Sequence, residues 1–129
     1  MGAIKTVDVS RYSVGITRDL RMAPRETPPG PPIRIDGLTV GFVRITNDPP
    51  HNGEMHPDGD ELLYVISGRV KVTGDSAPDE PCELGPGECC IVPRGEWHLV
   101  RTLEPTMLLH ITPGPHGDHR PLRGSAREG

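Results

Sequence analysis

The 129-residue sequence predicts an all-β domain, and three observations carry that prediction. Sixteen prolines and sixteen glycines punctuate the chain, more than a helical domain of this length tolerates. Apolar residues come in short runs such as "TVGFVRI", "ELLYVIS" and "MLLHIT", without a sustained helical period. Most of these runs are bounded by Pro, Gly or Asp, the residues that turn a chain between strands.

The elements follow in order. Residues 1–34 form an N-terminal arm ending in the proline-rich "APRETPPGPPI", which cannot join a sheet centre and serves as an extended connection. The first 30 residues are expected to wrap the outside of the barrel or to pair at its edge. Ile33–Ile35, an Asp36-Gly37 turn and Leu38–Thr46 read as a hairpin, because Asp-Gly accepts the backbone angles of a type I′ turn. "ELLYVISGRVKVTG" repeats the idea with Ser67-Gly68 as its turn. Further strands are predicted at Cys89–Val92, Trp97–Thr102 and Met107–Thr112, each bounded by Pro or Gly. Residues 113–129 are polar, rich in Pro and Gly, and read as an irregular tail.

Composition excludes several functions. A formal net charge of −4 with interspersed acids and bases offers no basic stripe for nucleic acid. No apolar stretch reaches the length of a membrane span or of a secretory signal, so a cytoplasmic chain without a membrane partner is expected. Cys82, Cys89 and Cys90 form an odd set without CxxC spacing, which makes reduced thiols the expectation.

The chemistry gathers at "GEMHPDGDELLYVISG", Gly53 to Gly68, where four carboxylates and one histidine lead into an apolar run. Charge beside a core is costly unless it is paired or bound to a cation. In a strand Glu54 and His56 share a face, and the Pro57-Asp58-Gly59 turn lets Glu61 face the same interior. A fourth group, His98, follows the turn at Pro93, Arg94 and Gly95. Carboxylate and imidazole together suit one divalent ion, Mn, Fe, Ni, Zn or Co, without choosing among them.

These residues resemble the two conserved motifs of the cupin superfamily, G-x5-H-x-H-x3-4-E-x6-G and G-x5-P-x-G-x2-H-x3-N. His56, Glu61 and Gly68 have the spacing of the first, and Gly87, Pro93, Gly95 and His98 that of the second. Glu54 stands where the family's first histidine would be, and Thr102 replaces the terminal asparagine. The resemblance implies a double-stranded β-helix over residues 35–112, a jelly-roll-like barrel with a metal in its mouth, often as a homodimer. It also implies metal-dependent chemistry on a small organic molecule, of dioxygenase, isomerase or lyase type.

Several alternatives stay open at this stage. Glu54 is either a fourth metal ligand or, swung away, a catalytic general base beside a two-histidine, one-carboxylate triad. The competing functions are a small-molecule binding or sensing cupin with a structural metal, and a metal-free barrel whose carboxylates find other partners. His51 is a weak candidate ligand because of its odd spacing from Glu54. His110 reads as a pocket-lining group, a proton shuttle or a packed core histidine, and His116 and His119 as parts of a polar tail that can lie over the mouth. Asp58 and Asp60 read as exposed turn residues, Tyr64, Trp97 and Arg101 as outward-facing, and Arg44 as a solvated arginine rather than a substrate clamp.

Overall fold

The computed structural model describes residues 2–29, 33–47 and 53–122. Among them are nine strands and no helix. They are β1 (Tyr12–Thr17), β2 (Met22–Glu26), β3 (Gly37–Ile45), β4 (Glu54–Met55), β5 (Glu61–Gly74), β6 (Cys82–Leu84), β7 (Cys89–Val92), β8 (His98–Gly114) and β9 (Asp118–His119). Every recorded pairing is antiparallel. The sheet runs β2-β1-β3-β8-β4-β9, and β5 joins β8 to β6 and β7.

Two long strands, β5 and β8, form the spine of the barrel. Along the first half of β5, Glu61, Leu63 and Val65 are buried while Leu62, Tyr64 and Ile66 face outward, the two-residue alternation of a strand with one face on a core. The core gathers Leu63, Val65, Val70, Val72, Leu84, Val92 and Leu108. Full burial of one such side chain stabilises the fold by roughly 1.5–3 kcal/mol.

The structure corrects both predicted hairpins. Residues 33–35 are not a strand, and β3 pairs instead with β1 and β8. Gly37 has a φ of 149°, and it opens β3 rather than closing a two-residue turn. Ser67-Gly68 does not reverse the chain either: β5 runs through it without a break, and the register against β8 shifts between Val65 and Val70. A bulge bends a strand and raises its twist, which is what a 14-residue strand needs to wrap around a small core. The strands expected at 97–102 and 107–112 are likewise the two halves of one strand, β8.

The N-terminal arm pairs at the sheet edge, as β1 and β2, and Pro24 and its neighbours occupy the outermost strand. There a missing N–H costs no ladder hydrogen bond. The tail is more ordered than expected: β9 pairs with β4, and Leu122 is buried at 3% exposure. Cys82, Cys89 and Cys90 are free thiols.

Candidate metal centre

Four side chains predicted as ligands meet at one end of the core. Glu54 comes from β4, His56 from the residue after it, Glu61 from the start of β5 and His98 from the start of β8. β4 lies directly opposite β8 at the Glu54–His98 pair, so their side chains project from one face. The turn at 57–60 brings Glu61 back to the same place, and its tip is tied down where the Arg94 backbone N–H donates to Asp60 at 2.8 Å. Each of the four residues offers one ligand atom, and these atoms all lie within 4.8 Å of one another.

The distances describe a compact charge cluster. His98 Nε2 lies 3.0 Å from Glu61 Oε1 and 3.4 Å from Glu54 Oε1. His56 Nε2 lies 3.3 Å from Glu61 Oε2 and 3.5 Å from Glu54 Oε1, but neither approach is aligned as a hydrogen bond. His98 Nδ1 donates to the backbone carbonyl of Glu96 at 3.0 Å, which leaves Nε2 as the nitrogen available to the cluster. Thr112 donates its hydroxyl to Glu61 Oε2 at 2.6 Å. His110 Nδ1 lies 2.7 Å from the same hydroxyl.

Electrostatics follow from this geometry. Burial alone would drive the imidazoles toward neutrality, yet the two carboxylates outweigh it and push His56 up to about 9 and His98 up to about 10. Burial would likewise raise Glu54 and Glu61, but the imidazoles hold both below the usual carboxylate range. A divalent cation among two carboxylates and two neutral imidazoles is charge-neutral and replaces the protons that otherwise hold the cluster together.

The residues present fit such an ion. His56 Nε2, the ring nitrogen that faces Glu54 and Glu61, is buried without an aligned hydrogen-bond partner, and a buried polar atom of that kind is normally satisfied. The donor set of nitrogen and oxygen without thiolate is that of first-row divalent metals. Glu54 does not swing away from the site, and it is the most open of the four, its side chain 25% exposed against 1% for His98. A cavity of about 290 Å³ opens onto Glu54, Glu61 and His98 and is otherwise walled by Leu63, Leu108 and His110 among others.

The Cupin_2 family, described as a cupin domain, matches residues 46–112. This chain is a cupin. Among solved structures, a cupin-2 domain protein from Shewanella frigidimarina is 21% identical across 63% of the chain and 74% of its own length, with a TM-score of 0.52. A Bacillus halodurans protein is 27% identical across 73% of the chain and 77% of its own, with a TM-score of 0.53. The oxalate decarboxylase of Bacillus subtilis, described for its Mn(II) centres, is 22% identical with a TM-score of 0.52, across 64% of the chain but 23% of its own. These likenesses are of fold. No curated protein matches the chain significantly.

The remaining candidates fall outside the cluster. His51 lies outside the described residues. His116 is held by Asp58, with its backbone N–H donating to Asp58 Oδ2 at 2.7 Å. Asp58 is therefore a loop anchor rather than a free turn residue. His119 belongs to β9, with Nε2 3.9 Å from Glu54 Oε2, so the tail does reach the edge of the cupin's site. Trp97 stacks beneath the Arg120 guanidinium, 3.9 Å from the ring centroid, and helps to pin that tail. Tyr64 takes an outward position on β5, and Arg44 and Arg101 are exposed. His110 lines the cavity and joins the cluster through Thr112.

Sequence reasoning missed Thr112 and Arg34. Thr112 lies an even number of residues from Leu108 and His110, and that parity would have found it. Arg34 lies in coil before β3, where no periodicity applies.

Proposed function

We propose that this cupin is a metal-dependent enzyme acting on a small organic molecule held in the barrel. The observation that carries the reading is the convergence of Glu54, His56, Glu61 and His98, three of which, Glu54, Glu61 and His98, line a cavity, while His56 Nε2 faces the two carboxylates, buried and without an aligned partner. A structural ion needs no cavity beside it, whereas catalysis requires that a substrate reach the ion. Glu54, His56, Glu61 and His98 would hold one divalent metal. When bound, such an ion would supply Lewis-acid or redox chemistry according to its identity.

The protein's own contribution is placement. The Glu96 carbonyl fixes the His98 tautomer, and the Thr112 hydroxyl fixes the Glu61 carboxylate. Leu63, Leu99, Val100 and Leu108 make the cavity walls apolar and limit water around the reacting groups. Glu54, the most open of the four groups, lines the cavity on the side from which a bound molecule would approach the ion.

A second reading has its own support. Both imidazoles lie within 3.0–3.5 Å of both carboxylates, and with the imidazoles protonated the cluster is neutral without any metal. That is the pattern of a metal-free binding barrel. Elemental analysis of protein purified without a metal-affinity column, before and after reconstitution, decides between the two. The enzyme reading expects one equivalent of metal, a spectrum that changes when small anions are added, loss of that metal in His98→Ala and retention in His116→Ala. No metal after reconstitution would withdraw it.

A further inference from the structure

Arg34 has no role in the site so far described. It lines the cavity above the cluster, and with His110 and Val43 it also lines an outer cavity of about 670 Å³ bordered by β1 and β2. The two cavities therefore adjoin at Arg34 and His110. The arginine is half-buried, and no ion pair or hydrogen bond of its side chain occurs among the described residues. Glu54 and Glu61 attract it through space without pairing with it. A guanidinium is never deprotonated in a protein, so its charge must be answered by water or by an anion.

The surroundings say which. His110 offers no negative charge: burial and the neighbouring Arg34 keep its ring from protonating. Thr112 gives its hydroxyl proton to Glu61, which can only accept, so His110 Nδ1 is the donor to the Thr112 oxygen. That ring is therefore fixed as the tautomer with a bare Nε2. Gly41 makes room for it, since a Cβ there would collide with Nε2. Charge counting completes the picture. Two carboxylates and one divalent cation sum to zero, as do two carboxylates and two imidazolium groups, Arg25 and Glu26 of the outer cavity cancel each other, and in either case Arg34 leaves one positive charge over.

We propose that Arg34 is the recognition residue for a small organic carboxylate, which docks at the junction of the two cavities with its reactive end toward the metal cluster. This names the substrate class for the metal-site reading and rests on it only for the word substrate. A planar carboxylate matches the guanidinium fork with two parallel hydrogen bonds. A neutral ligand of the same shape leaves the arginine unanswered and loses that gain.

The test is isothermal titration of the full chain, its metal content measured beforehand, with straight-chain mono- and dicarboxylates from acetate to adipate and with their neutral amides. At least one acid is expected to bind, and its amide at least about tenfold more weakly. Arg34→Gln is expected to lose at least about tenfold in acid affinity at unchanged metal content, and Arg34→Lys, which keeps the charge without the fork, to fall between. Three results would overturn the proposal: no acid binding, amides binding as well as acids, or full acid affinity in Arg34→Gln. The acid-against-amide comparison needs only the wild-type chain and holds whatever the variants do. A chain that takes up no metal but binds acids through Arg34 keeps this proposal and defeats the metalloenzyme, and metal uptake without acid binding does the reverse.

Discussion

At the scale of single residues, a cluster that holds metal as proposed would exchange protons for it, and the sign of its pH response follows. In the metal-free chain burial opposes protonation of His56 and His98, but the two carboxylates outweigh it and push them up to about 9 and about 10 from their ordinary 6.5. Their contribution is complete below 6.5 and is lost as pH rises through 9 to 10. Glu54 and Glu61 are held below their ordinary 4.5, so their contribution is present above 4.5 and is lost as pH falls. Metal-free protein should therefore be most stable between about pH 4.5 and 6.5 and should lose stability as the pH rises toward 10. Metal-loaded protein should not show the alkaline loss, because its imidazoles are already neutral, and uptake near pH 7 should release protons measurable in a weakly buffered titration. Proton-neutral uptake together with a flat alkaline limb would contradict this account. These four residues were legible in the sequence because ligand chemistry and strand parity are both local. Arg34 was not, because its place beside the cluster depends on a coil segment passing over the end of β8, where Arg34 packs against Gly114.

At the scale of elements, two glycines of the motifs, both with positive φ, do different work. Gly68 has a φ of 92° in the middle of β5, and a Cβ there would collide with the Pro105 carbonyl and the Thr106 side chain. Gly87 has a φ of 84°, but a Cβ there would meet nothing within 4 Å. Both positions strain a residue with a side chain, at a cost of about 1–3 kcal/mol, and only Gly68 adds a backbone clash. Denaturant unfolding should therefore show Gly68→Ala losing clearly more stability than Gly87→Ala, by about 2 kcal/mol or more. Equal losses would mean that β5 turns at Ser67-Gly68 after all. The same contrast explains why the sequence suggested a hairpin there. A glycine after a serine signals positive φ, which a turn and a bulge share, and only the partner strand distinguishes them. β8 is that partner, and it pairs with β5 on both sides of the bulge. The strand signals themselves were read correctly at Cys89–Val92, where a short run between glycine and proline allows one interpretation.

At the scale of the whole molecule, the outer face of the sheet poses a question that the metal site does not answer. Directly paired residues share a face, so the registers Leu62–Ile91, Leu62–Ile111, Ile111–Val40 and Val40–Val14 place five aliphatic side chains in one row outside the barrel. The row crosses β7, β5, β8, β3 and β1, about 19 Å at the usual strand spacing. Ile91 is 66% exposed, and Ile66, also outward on β5, is 44% exposed. A contiguous apolar band on a sheet differs from scattered surface aliphatics and marks a surface that another protein covers. We propose that a second copy of this chain covers it, because a two-fold axis sets such a row against itself and the aliphatic side chains meet their own kind. Light scattering at dilute concentration should then give twice the chain mass, and Leu62→Lys should give the monomer. Metal content should survive that change, since Leu62 and its neighbour Glu61 point to opposite faces of β5. A wild-type monomer at every concentration would refute the dimer. Loss of metal in a folded Leu62→Lys monomer would instead show that the partner subunit completes the site.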